Sequence, residues 1–221
     1  MAYKEHHNSL TRLWFKVVLW REKHVKERTF VIVLALVVGI VCGLAAQLLK
    51  FLIHAISGLL TTHLSATSAN WLYLVLPMAG ILLTVVFVRY VVKDNISHGV
   101  TRVLYAISQR KSRLKRHNMY ASLVSSSITI GFGGSVGAEG PIVFTGAAIS
   151  SNLGQAFRLS PKILMILVGC GAAAGIAGIF RAPIAGMLFT LEVLMIDLTG
   201  TTIMPLLLSS IAGATVAYVM E

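Results

Sequence analysis

The sequence predicts an all-α, multi-pass integral membrane protein, and two observations carry that assignment. Of 221 residues, 56% are hydrophobic and only 12% charged, with a mean hydropathy of +0.81, far from the balance of a water-soluble domain. The apolar runs are also long enough for spanning helices. "TFVIVLALVVGIVCGLAAQLL" (29 to 49) holds no charge in 21 residues, and "WLYLVLPMAGILLTVVFV" (71 to 88) holds none in 18. A bilayer core needs about 20 such residues per helix, and its lack of water obliges the backbone to satisfy its own hydrogen bonds.

Residues 1–28 read as a basic N-terminal segment, in which "LTRLWFKVVLW" (10 to 20) mixes aromatic and basic residues as an interfacial amphipathic helix does. No removable signal peptide is expected, because the apolar run that follows is too long for one. Two crossings come next, over roughly 29 to 60 and 70 to 92. Seven of the nineteen Lys and Arg precede residue 29 and seven more lie between 93 and 116. Both clusters flank apolar spans, so the positive-inside rule places both, and the N-terminus, in the cytoplasm. The net charge of +11 then reflects topology and lipid contact rather than a nucleic-acid partner. The stretch "DNISHGVTRVLYAISQRKSRLKRH" (94 to 117) is polar, briefly apolar and then basic, which predicts a short helix.

After residue 118 small residues dominate. "GAAAG" at 171 to 175 has the GxxxG spacing that lets membrane helices approach closely, so this part is expected to face protein rather than lipid. Cys42 and Cys170 fall in apolar spans with no CxxC or Cys/His spacing, and read as packing residues rather than a disulfide or metal site. Pro141, Pro161 and Pro183 each stand near the start of an apolar run and mark helix N-termini, where a missing N–H costs nothing. Short, broken helices survive in a bilayer only where protein or a water-filled path surrounds them.

Within "GFGGSVGAEGPIVFTGAA" (131 to 148), one carboxylate, Glu139, sits among glycines. A charge at membrane depth costs several kcal/mol unless it is protonated, paired or functional. The glycines free the backbone, Pro141 sets the helix start just after Glu139, and exposed N–H groups over 137 to 142 make a site for negative charge. Ionised, Glu139 can occupy that site itself. Protonated, it can yield the site to a dissolved anion, which makes a gate from one carboxyl group. The plainer reading is a helix-start carboxylate that stabilises the dipole by about 0.3–1 kcal/mol.

"GAEGP" resembles the GxEGP signature of the CLC family of chloride channels and proton/chloride antiporters. "GIAGIFRAPIAGMLFTLEV" (175 to 193) is similar to a second characteristic run of that family, and "SHGVT" (97 to 101) resembles, more weakly, its anion-binding loop. The resemblance implies a multi-pass fold of broken and tilted helices, with residues 29–221 as the first of two inverted repeats. Nothing in the chain matches the second repeat, with its phenylalanine loop and pore tyrosine. Either the chain is a fragment or truncated product, or the other half is a separate chain.

By this resemblance Glu139 is the gating and proton-accepting residue, and Gly137, Ala138, Gly140 and Ile142 supply backbone amides to an outer anion site. Ala138 stands where many relatives carry arginine. In the loop, Ser97, His98 and Gly99 are the anion-binding candidates, the pore hydroxyl being either that of Ser97 or replaced by the imidazole of His98. Val193 occupies the place of the inner proton-accepting glutamate of many antiporters, with Glu192 beside it. Arg181 either partners Glu192 or adds positive potential near the pore.

The resemblance thus implies a chloride channel or transporter of the cell membrane, voltage- or proton-gated and channel-like because Val193 cannot carry a proton. Coupled proton/chloride or fluoride antiport is the first alternative, and a non-transporting half or assembly partner the second. It implies chloride or a similar small anion as the transported ion, the lipid bilayer and a second copy in a homodimer as partners, and no cofactor. The apolar late spans, 161 to 178 and 202 to 219, offer surface for that dimer. No HExxH, no Ser/His/Asp set and no Cys/His metal spacing points to an enzyme or a metal site.

Overall fold

The computed structural model describes residues 27–63, 70–92, 99–195 and 199–220. The N-terminal segment with its amphipathic stretch at 10 to 20, and the loop residues Ser97 and His98, lie outside the described residues. All regular structure among the described residues is helical: α1 (Glu27–His63), α2 (Asn70–Phe87), α3 (Gly99–Gln109), α4 (Asn118–Gly131), α5 (Glu139–Ala156), α6 (Pro161–Phe180), α7 (Pro183–Val193) and α8 (Gly200–Val219). A π-helical turn, Val88–Val92, extends α2. Among the described residues, four helical stretches are long and apolar enough to cross a membrane: Glu27–Leu60, Val75–Val92, Pro161–Phe180 and Gly200–Val219. Both early crossings therefore form where hydropathy puts them, and the polar-basic stretch after them holds the short helix α3.

The prolines begin helices as expected. Pro161 and Pro183 are the first residues of α6 and α7, and α5 carries Pro141 in its first turn. That helix starts at Glu139 itself rather than after it, so the acid belongs to the first turn. Between α6 and α7 the chain reverses through Arg181 in the left-handed conformation, φ 54°, a common way to end a helix. Pro183 then opens the next one.

α6 is the centre of the molecule, with 78% of its spanning window buried, and it packs against α1, α5, α7 and α8. What allows four neighbours is its run of small residues, Gly169 to Ala174, all buried. Gly146 on α5 and Gly171 on α6 are so close that a Cβ at either would strike the other's carbonyl oxygen. On the far side of the core α1 meets α8 in the same manner, a Cβ at Gly39 falling 2.5 Å from the Ser209 carbonyl oxygen. These close backbones gain dispersion contacts that lipid tails could not supply. Cys42 and Cys170 are free thiols in this core.

α4 brings serines into the interior without leaving them unpaired. Ser125, Ser126 and Ser127 each donate to a carbonyl three or four residues back, which is how hydroxyl groups are accommodated in apolar surroundings. α2 is the outermost helix, only 6% of its spanning window being buried. It leans on α4 through a 2.9 Å hydrogen bond between Thr84 and Thr129 and otherwise presents Val75, Met78, Leu82 and Val86 outward, as a lipid-facing helix does.

Candidate functional site

The site is the start of α5, and its geometry follows from the glycine-rich link before it. α4 ends at Gly131, the chain turns through Gly133 at φ +89°, and Gly134 and Val136 donate to the Thr129 and Gly134 carbonyls at 2.9 Å each. This delivers Ala138 as the N-cap, a residue with no side chain able to cap. Pro141 has no N–H, and the Ile142 N–H already donates to the Ala138 carbonyl at 3.1 Å. The unpaired donors are therefore fewer than the stretch 137 to 142 predicts: the amides of Gly137, Ala138, Glu139 and Gly140 meet no acceptor among the described residues. They stand at the positive end of an 18-residue helix.

Glu139 turns back along the chain. Its carboxylate lies against Gly137, in the space that a Cβ at 137 would occupy. Glu139 is half-buried, as are Ala138 and Gly140, while Gly137 is exposed and Ile142 fully buried.

Three further elements wall the first turn of α5. Gly99, the first residue of α3, abuts Gly140: a Cβ there would fall 2.6 Å from the Gly140 carbonyl oxygen and 3.1 Å from the Phe144 Cβ. Gly175 of α6 comes to the Ile142 carbonyl, with a would-be Cβ 3.1 Å away. From α4, Ser122 donates to the Pro141 carbonyl at 3.5 Å. The two N-terminal ends of α3 and α5 thus converge, so their partial positive charges add at one place. The loop motif and the glutamate motif, separated along the chain, become neighbours at Gly99 and Gly140.

Arg102, which the sequence reading does not single out, stacks over the Phe144 ring at 5.7 Å. It lies one turn beyond Gly99, on the face of α3 that meets α5. That i, i+3 spacing is the signal that could have found it. The described residues hold no group of three His, Cys, Asp or Glu side chains fit for a metal.

At the far end of α7, Val193 is half-buried and packs against the core, whereas Glu192 is exposed and forms no ion pair among the described residues. Arg181 does not partner it. The two residues lie at opposite ends of α7, about 16 Å apart along a helix of this length, and the guanidinium of Arg181 stacks on Tyr218 at 5.5 Å.

A family model described as voltage gated chloride channel matches residues 80–221. The chain is 34% identical over 147 residues to a ClcB-like chloride channel protein of Ralstonia nicotianae, a match covering 65% of this chain and 34% of that protein. It is 28% identical over 193 residues to the voltage-gated ClC-type chloride channel ClcB of Yersinia pestis, covering 80% and 46% respectively. Among solved structures it resembles a CLC-type fluoride/proton antiporter with a TM-score of 0.73 and 30% identity, over 87% of this chain and 47% of that one. A slow cyanobacterial chloride/proton antiporter superposes with a TM-score of 0.75 at 21% identity, over 89% and 48%, a likeness of fold alone. The chain spans about half the length, or less, of these relatives.

Proposed function

This chain belongs to the voltage gated chloride channel family, a family of chloride channels and antiporters of membranes, and from that premise we propose that it forms the first half of a pathway moving chloride or a similar small anion, gated by Glu139. The observation that carries the proposal is the carboxylate of Glu139 folded over Gly137, at a helix start with unpaired amides where a second helix N-terminus also ends. An ionised carboxylate there is an internal competitor for the position an anion would take. Protonation removes its charge and with it the competition for that position. Gly137, Ala138 and Gly140 form the backbone of that outer position, to which Ile142 adds no free amide because its N–H is bonded to the Ala138 carbonyl, and Gly99, with Ser97 and His98 next to it in sequence, marks the approach from α3.

Transport is channel-like rather than strictly proton-coupled, because Val193 has no proton to exchange. A second reading, fluoride movement, is supported by the likeness to a fluoride/proton antiporter and by the departure of "SHGVT" from the family loop. The protein works as a homodimer in the cell membrane with its N-terminus cytoplasmic. Cross-linking in native membranes checks the dimer, a monomer alone being the contrary result.

The deciding experiment is isotopic chloride and fluoride flux in liposomes with the full protein, wild type and Glu139→Gln. The substitution mimics the protonated acid, so flux becomes nearly independent of external pH. Equal pH dependence in the two proteins would reject the gate.

A further inference from the structure

The outermost helix, α2, reaches the link that carries Glu139. Its main neighbour is α4, and the residues it turns that way are Pro77, Gly80 and Thr84, spaced i, i+3 and i+7 as one side of a helix requires. Each meets a different part of the chain where α4 gives way to the link. The Thr84 hydroxyl bonds that of Thr129 at 2.9 Å and reaches the Ser125 carbonyl at 3.4 Å. A Cβ on Gly80 would fall 2.5 Å from the Phe132 Cβ and 3.0 Å from its Cγ, and one on Gly133 would fall 3.8 Å from the Pro77 Cγ. From the other side α1 closes in, a Cβ on Gly131 falling 2.6 Å from the Ile56 Cγ2. Residues 131 to 133 are thus wedged between α1 and α2.

Thr129 passes this hold on toward the site. Its hydroxyl engages Thr84 while its carbonyl accepts from the Gly134 N–H at 2.9 Å, so the last turn of α4 and the start of the link form one piece. Beyond it the Val136 N–H donates to the Gly134 carbonyl at 2.9 Å, and Ser135, Val136 and Gly137 are exposed. The place of Gly137 is therefore set from behind, by the seat of Phe132 and Gly133, and Gly137 is where the Glu139 carboxylate rests. That seat is stiff. The atom of Phe132 nearest Gly80 is its Cβ, which turning the ring does not move, so any added bulk at residue 80 shifts backbone.

Around the first turn of α5, α3 brings the Arg102 guanidinium, stacked over Phe144, whereas Ser122 of α4, Gly175 of α6 and residues 132 to 138 of the link are uncharged. How well the carboxylate competes with an anion then depends on where it is held against the helix end.

Taking Glu139 as the gate, we infer that Gly80 and Thr84 of α2 are positioning residues for it: the seat that α2 gives Phe132 holds the link so that Gly137 meets the Glu139 carboxylate.

Chloride flux through the full protein in liposomes is measured against external pH for wild type, Glu139→Gln, Gly80→Ala, Thr84→Val, Thr84→Ser and Leu82→Ala. Gly80→Ala pushes Phe132 and the link aside, so flux at neutral pH should rise toward that of Glu139→Gln. The midpoint of the acid-induced rise should move up by roughly 0.2–0.7 pH units, the size of a carboxylate's interaction with a helix N-terminus, because a carboxylate drawn off that end is protonated more readily. Thr84→Val keeps the shape without the hydroxyl and should move the midpoint the same way, and Thr84→Ser, which keeps the hydroxyl, should restore it. Leu82→Ala, on the exposed side of α2, should leave it unchanged. A role confined to stability would lower yield and unfolding temperature and leave the midpoint in place. Should Gly80→Ala fail to fold, the Thr84 pair decides. A flat profile for Glu139→Gln with wild-type midpoints for Gly80→Ala and Thr84→Val would overturn the positioning role and leave the gate standing. Wild-type pH dependence in Glu139→Gln would overturn the gate, and this role with it.

Discussion

Gly99 at the start of α3 and Gly140 in the first turn of α5 touch backbone to backbone, with no room for a Cβ on Gly99. This contact sets two helix N-termini side by side, and it makes the site sensitive to a single methyl group.

Gly99→Ala should therefore separate the helices, with destabilisation of about 1–3 kcal/mol as for other overpacked cores. Gly58 in α1 is the control, since a Cβ there meets nothing within 4 Å. Gly58→Ala should leave stability unchanged or raise it by up to about 1 kcal/mol, alanine being the better helix former. Thermal unfolding of both variants in detergent decides; equal behaviour would contradict the contact.

Gly137→Ala tests the fold-back of Glu139. Residue 137 does not need a left-handed backbone, so alanine is tolerated by the chain, but its methyl group displaces the carboxylate. Anion flux near neutral pH should rise toward that of Glu139→Gln, and the rise on acidification should shrink. The sign follows from charge: ionised Glu139 competes with the anion, so wild-type flux increases as pH falls. Flux measured from about pH 7.5 down to about pH 3, a range that contains the ordinary carboxyl values of about 4, supplies the comparison.

Val193 bears on coupling. In sealed liposomes a chloride gradient should drive little or no uphill proton movement, because α7 ends on a valine that packs into the core and on an exposed Glu192 that forms no ion pair among the described residues. Proton pumping at a constant ratio would transfer the role to Glu192, and Glu192→Gln would then abolish it.

Gly171→Val should prevent folding. The carbonyl of Gly146 stands where the Cβ would go, and both glycines belong to buried backbone that cannot yield, so a loss of about 3 kcal/mol or more follows. Size-exclusion chromatography would show aggregate in place of a monodisperse peak.

Much of the architecture was legible along the chain. Hydropathy located both early crossings, prolines 161 and 183 opened their helices, and an acid among glycines before Pro141 marked the start of α5. These are local properties: the length of an apolar run, the φ restriction of proline and the freedom of glycine act within a few residues, and one chain displays them. Tertiary structure alone decided which segments meet. Glycine at 99, 146 and 171 announces that some backbone will come close, without naming the partner, because the match depends on the shapes of two helices far apart in sequence. For the same reason Arg181 settled on Tyr218 and not near Glu192, Arg102 came to rest over Phe144, and Phe132 came to rest against Gly80. Each pairing is a packing solution among elements whose separation along the chain carries no information about distance.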